Sequence, residues 1–281
     1  MEQQFKQIRD QQKESWNKFS PGWKKWDNLF MEFLKPKGDE IIQSLNLKDT
    51  DVVLDVAAGT GEPGLTIASS LKSGKVIITD LAEDMLSIAR ENAKKRNINN
   101  IETHVCDVSE LPFADNTFDA ISCRFGFMFF PDMLLAAKEM ARVLKPGGRI
   151  ATSVWNVPEK NFWVTAIMGT INTHMELPAP PVGAPGMFRC AKNDLISDLF
   201  YQAGLKNVSV KEVTGKLNCK TAVTYWNVMT DVAAPVVAAL SKADHATKEK
   251  IKRDVHQAVN QKYTDGNVLI DSSALVIYGE K

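Results

Sequence analysis

The 281-residue chain has no window of about 18 uninterrupted apolar residues, so no single segment is expected to span a bilayer. Charge of neither sign is in excess, since 34 Lys and Arg balance 34 Asp and Glu. Without a basic surplus, non-specific nucleic-acid binding has no global driving force, and no nucleic-acid partner is expected. Cysteine is scarce. Cys106, Cys123, Cys190 and Cys219 lie far apart with no C-x-x-C pair, which argues against a zinc site, so no metal is expected. The leading Met-Glu-Gln-Gln-Phe-Lys lacks the apolar centre of a secretory signal. These absences together predict a reducing, cytoplasmic setting. Internal repeats and low-complexity linkers are also missing. The length suits one large domain with a real core, as a monomer or a homodimer.

What is present centres on Val52-Val53-Leu54-Asp55-Val56-Ala57-Ala58-Gly59-Thr60-Gly61-Glu62-Pro63-Gly64. A β-branched run ends in a glycine-rich turn, and an apolar-periodic helix follows. A strand, a tight turn and a helix start are the usual seat of a nucleotide-like cofactor, because backbone N–H groups face a ligand that no Cβ obstructs. Around it β and α signals alternate. Strands are expected at 52–57, 75–79, 101–105, 119–123 and 148–154, with helices at 63–72, 83–96 and 131–144 between them. That alternation predicts an α/β fold with a Rossmann-like, seven-stranded, mostly parallel sheet, helices on both faces and an antiparallel last strand.

Three regions lie outside this core. Residues 1–37 form an expected helical cap, broken at Pro21-Gly22, with Trp16, Phe19, Trp23, Trp26, Phe30 and Phe33 spaced along one face. Residues 38–155 are the cofactor-binding core. Residues 156–281 complete the sheet, with a strand at 207–213 and another at 273–278, and carry lid-like inserts at 156–190 and 221–262. Such irregular stretches are where a substrate cover is built.

The glycine turn literally matches the dinucleotide pattern, which keeps an NAD(P)-dependent oxidoreductase as an alternative. The acids weigh against it. Asp55 and Glu62 flank the turn and would oppose a pyrophosphate, whereas they suit a ligand bearing an ammonium and a sulfonium. Asp80 ends the second expected strand and Asp107 follows the third, so Asp55, Asp80 and Asp107 line one crevice at the strand carboxyl ends. With Leu111-Pro-Phe-Ala-Asp-Asn-Thr-Phe-Asp119 and Leu144-Lys-Pro-Gly-Gly148, these motifs resemble the class I S-adenosylmethionine-dependent methyltransferases, in the family's order across residues 52–154. The resemblance implies a cofactor site of Asp55, Ala57, Gly59, Gly61, Asp80, Leu81, Asp107, Val108 and Arg124. In it Asp80 takes the ribose hydroxyls, Leu81 and Val108 sandwich the adenine, and Asp107 accepts its amine. The product is then S-adenosylhomocysteine. A non-catalytic cofactor-binding subunit is the remaining alternative.

The segment after the fourth strand, Cys123-Arg124-Phe125-Gly126-Phe127-Met128-Phe129-Phe130-Pro131-Asp132, faces the methyl group in that fold. It has no Asn/Asp-Pro-Pro-Tyr and no Pro-Cys, which disfavours DNA-base chemistry. Its apolar character suits a small aromatic or apolar acceptor. Trp16, Phe19, Trp23, Phe127 and Trp155 are the candidate acceptor contacts. The nearest branch by resemblance is the ubiquinone/menaquinone C-methyltransferases, which share Phe125-Gly126 but carry Arg-Asn where Met128-Phe129 stands here. His174, in the insert, is the one candidate base for an acceptor that must lose a proton.

Overall fold

A computed structural model describes residues 2–178, 184–192 and 194–281. In chain order the elements are α1 (Glu2–Lys25), α2 (Asp27–Leu45), β1 (Val52–Val56), α3 (Gly64–Ser70), β2 (Lys75–Asp80), α4 (Glu83–Lys95), β3 (Ile101–Val105) and β4 (Phe118–Arg124). There follow α5 (Met133–Val143), β5 (Leu144–Trp155), α6 (Phe162–His174), α7 (Leu195–Gln202), β6 (Lys206–Lys220), α8 (Ala222–Val232), α9 (Ala234–Leu240), α10 (His245–Lys262) and β7 (Val268–Glu280). The strands form one sheet in the order β3-β2-β1-β4-β5-β7-β6. Pairing is parallel from β3 to β5, while β7 runs antiparallel to both β5 and β6. The expected sheet is therefore the observed one.

The central strands are enclosed on both faces, as their unbroken Val/Ile runs require. Against one face, Ile41 and Leu45 of α2 pack with Leu65, Ile67, Ile78 and Leu86. Against the other, Phe118, Ile121, Met140, Phe200 and Tyr225 form the larger core. Strand order reverses between β1 and its two neighbours, β2 and β4 (Val53 pairs both Val76 and Ala120), which opens a crevice beyond their carboxyl ends.

Several boundaries differ from expectation. Helix α1 runs straight through Pro21-Gly22 and ends instead beside Trp26. A proline disrupts a helix by stranding the carbonyl four residues back. Here that carbonyl, on Asn17, accepts the Ser20 hydroxyl at 2.9 Å. Gly22 is a contact point, since a Cβ there would stand 2.3 Å from the Asp231 carbonyl oxygen of α8. Helix α2 runs through the boundary expected at 37/38, so the cap and the core share one helix. The 221–262 segment is three helices, with a 91° bend between α8 and α9. Strands β6 and β7 extend well beyond the short runs expected, pairing each other along nearly their whole length. Among the described residues no single helix is long and apolar enough to cross a membrane. Residues 179–183, part of the expected 156–190 insert, lie outside the described residues.

Candidate cofactor and acceptor site

The glycine turn is held from beneath by Asp55. Its fully buried carboxylate accepts the Gly64 N–H at 2.8 Å and the Ser122 hydroxyl at 2.6 Å. Burial pushes its pKa up to about 7, although the two donors and Arg124 favour the charged form. Asp80 ties the turn from the next strand, accepting Gly59 N–H and Ala82 N–H, each at 2.9 Å. Burial raises its pKa as well. Gly59 sits at φ +56° with open space where a Cβ would project, while a Cβ on Gly61 (φ +108°) would meet Leu65 at 2.8 Å. The residue before the turn, Ala57, is also held at positive φ, +52°, a left-handed conformation that costs a non-glycine residue free energy.

Asp107 stands beyond β3, where its Oδ1 accepts the Ser109 N–H at 2.8 Å. Its Oδ2 meets Arg9 Nε at 3.0 Å, so α1 reaches across to the β3 end of the crevice. Leu81 is half-buried and Val108 buried on either side of this end. Asn17 of α1 accepts the Asp84 N–H at 3.1 Å, and Lys24 pairs with Glu91 at 2.7 Å, so the cap lies along α4. On the other side of the glycine turn, Arg124 closes β4. It lines a cavity of about 100 Å³ with Gly38, Glu62, Pro63 and Thr66. Burial lowers its pKa, opposed by the fields of Glu62, Asp55 and Asp27, and among the described residues it is in no ion pair.

Glu62 does not stand free beside the turn as expected. Its buried carboxylate is paired with Arg96 and accepts the Thr66 N–H at 3.2 Å, so its charge is already compensated. The other parts fit S-adenosylmethionine. An open glycine cradle, half-buried carboxylates at two successive strand ends and an unpaired guanidinium match an adenosyl group at one end and an amino acid at the other.

Aromatic rings gather where α1 and α2 meet the ends of β4 and β5. Trp16 meets Phe129 edge-on at 5.1 Å and Trp23 at 6.4 Å, and Trp23 lies 4.6 Å from Phe30. Beside them Trp155 is stacked at 4.2 Å on Phe125 and at 5.8 Å on Phe33. Of the expected contacts, Trp16 and Trp23 meet here; Trp155 is linked to them only through Phe30 and Phe33 and is buried behind Phe125 rather than open to the crevice. Phe19 is half-buried on α1 but is not part of this ring chain. Phe127 is fully buried between Phe130 and Phe200 in the core below. Across the single turn at Phe127–Phe129 the first two side chains are buried and the third is half-buried, so Phe129 holds the outward place. Met128 is fully buried.

His174 ends α6, twelve residues beyond Phe162, or about 18 Å along a helix axis. Its Nε2 lies 2.7 Å from Asp254 of α10, where it fastens two lid helices to each other rather than facing the ring wall. Reading the sequence missed Arg9 and Lys37, which resemble ordinary solvated helix lysines and arginines. Phe125, named in the sequence only within the Phe125-Gly126 pair and not as an acceptor contact, holds a φ of +61° that has no composition signal.

Residues 29–165 match the ubiE/COQ5 methyltransferase family. The chain is 33% identical to a demethylmenaquinone methyltransferase of Staphylococcus carnosus over 186 residues, covering 62% of this chain and 76% of the relative. It is 31% identical to the Bacillus subtilis enzyme of the same name over 193 residues, covering 63% and 80%. In fold it is similar to the YcgJ protein of B. subtilis, with a TM-score of 0.56 at 20% identity, covering 87% of this chain and 97% of that one.

Proposed function

The chain belongs to the ubiE/COQ5 methyltransferase family and is an S-adenosylmethionine-dependent methyltransferase; we propose that its acceptor is the reduced ring of a quinone of the demethylmenaquinone kind, methylated at a ring carbon. The observation that carries this reading is the ring wall of Trp16, Trp23, Phe125 and Phe129, with the buried Trp155 stacked behind Phe125. A flat, electron-rich acceptor gains offset stacking and edge contacts there that an aliphatic amine would not. The names of the curated relatives support the same class.

Bound S-adenosylmethionine would supply an electrophilic methyl on a positively charged sulfur; the new ring carbon–methyl bond replaces the sulfur–methyl bond, leaving a neutral thioether, and the proton displaced from that ring carbon passes to solvent. The chain's own part is to bind, orient and exclude water. Asp55, Asp80 and Gly59 shape the seat, and the unpaired Arg124 would hold the cofactor's carboxylate. Trp16 of the cap closes on Phe129 and removes solvent from the reacting face. Positioning of two reactants in line provides a large share of such catalysis. Asp132 is committed to the start of α5, where it accepts the Leu135 N–H at 2.9 Å, and Arg124 remains charged, so neither serves as a base. Stacking by Phe129 takes the place of the Arg-Asn pair of the quinone branch.

The test is methyl-labelled cofactor offered with reduced demethylmenaquinone, a catechol and a primary amine. Label on the quinol ring is expected; label on the amine alone overturns the reading. The donor is a cytoplasmic metabolite, so the reading carries a cytoplasmic location and a small-molecule acceptor with it.

A further inference from the structure

Lys37 of α2 is fully enclosed, with no exposed surface. Its Nζ donates to the Ser272 hydroxyl at 2.9 Å, and the Phe33 carbonyl lies at 3.4 Å. The Ser272 hydroxyl in turn donates to the Gly215 carbonyl at 3.0 Å. A Cβ on Gly215 would stand 2.1 Å from Nζ, so β6 leaves the space that the ammonium occupies. Among the described residues no carboxylate pairs with it, and the charge it feels most is the like charge of Arg124. Burial, reinforced by Arg124, pulls its pKa down to about 8. A buried ammonium without a counter-ion costs stability, so packing alone would be better served by an uncharged chain of similar length.

What the ammonium does meet is aromatic. Nζ lies 4.9 Å from the Phe33 ring centre and 6.0 Å from that of Trp155, within cation–π range. Trp155 is inclined 20° to Phe33 and 16° to Phe125, so it is stacked between the two. Phe125 is held at φ +61°, a conformation a bulky residue adopts only when its surroundings impose it. It is also the first residue beyond β4, at the crevice edge.

We propose that Lys37 is a positioning residue for the acceptor: its enclosed ammonium, fixed by Ser272, sets the Phe33–Trp155–Phe125 stack and so the ring that Phe125 presents at the site. The proposal rests on the quinol reading only for the identity of the acceptor.

The test compares full-length wild type, Lys37→Met and Lys37→Arg, each with and without Trp155→Phe. Cofactor-product affinity is read by calorimetry, acceptor kinetics with reduced demethylmenaquinone, and the Trp155 contribution by near-ultraviolet circular dichroism difference. Lys37→Met is expected to keep its affinity for S-adenosylhomocysteine. Its KM for the quinol should rise about tenfold with a smaller change in kcat, the scale of one desolvated cation–π contact. The Trp155 difference signal should collapse in Lys37→Met and persist in Lys37→Arg, which also recovers most of the KM. An unaltered Trp155 signal in Lys37→Met, or an arginine variant no better than methionine, overturns the proposal. Should wild type turn over no quinol, the acceptor reading fails, while the Trp155 signal still decides the role of Lys37. Should Lys37→Met not fold, Lys37→Gln takes its place in the same comparison.

Discussion

Replacing Asp55 by Asn tests the burial of the turn's central acid. The carboxyl is fully enclosed and titrates near pH 7 rather than at the ordinary 3.8. In the unfolded chain it ionises near pH 4. Between those values the native state holds a proton that the unfolded chain has lost, so wild-type stability falls as pH rises through this window. A gap of roughly 3 units at about 1.4 kcal/mol per unit makes this loss roughly 4 kcal/mol, complete above pH 7. Asn keeps the geometry, because its carbonyl can accept the Gly64 N–H and its amide can donate to the Ser122 oxygen. It has no charge to desolvate. Urea unfolding of both proteins in steps from pH 4 to pH 8 should give free energies that diverge, the variant gaining on wild type by up to that amount. Asp80, also raised by burial, is common to both and cancels in the difference. On the proposed reading the ionised form favours the cofactor's ammonium, so Asp55→Asn should bind S-adenosylhomocysteine more weakly although its fold is stabler. Parallel stability curves across the window would refute the reasoning.

Three further outcomes follow from the site. Asp80→Ala should weaken S-adenosylhomocysteine binding by roughly 1–3 kcal/mol, the scale of a lost charged hydrogen-bond partner, and unchanged calorimetry would contradict the ribose role. Arg9→Ala opens the contact with Asp107; as a partly exposed pair it should cost at most about 1 kcal/mol of stability, yet speed release of S-adenosylhomocysteine, as stopped-flow tryptophan fluorescence would show. An unchanged release rate argues against a cap that closes over the adenine. His174→Ala should leave kcat intact and lower thermal stability slightly, because its partner is Asp254 of the lid; a large loss of kcat with a pH profile missing one limb would restore it as a base.

The parallel core was legible because its signals are local and repeat. β-branched runs, Gly-containing turns and apolar helical periodicity each act over a few residues, and they recur in order from Val52 to Trp155. The cap was read less well. Pro21 looks like a break in any one-dimensional reading, but the carbonyl it frees is satisfied by Ser20, and Gly22 next to it is needed for close approach to α8. Phe127 and Phe129 are chemically alike and two positions apart, so only the turn's path could assign one to the core and the other to the ring wall. Glu62 looked free because Arg96, which neutralises it, is 34 positions away.

From its order of residues alone this protein is a Rossmann-like methyltransferase with acids at the ends of three strands, since a cofactor seat is built from contiguous turns whose chemistry is written next to itself. The tertiary structure decided the acceptor side. Arg9 on Asp107, Trp16 on Phe129 and Lys37 behind Trp155 join residues separated by about a hundred positions or more, and no local pattern encodes such meetings. They arise from how α1 and α2 lie across the sheet, which is set by burial summed over the whole core.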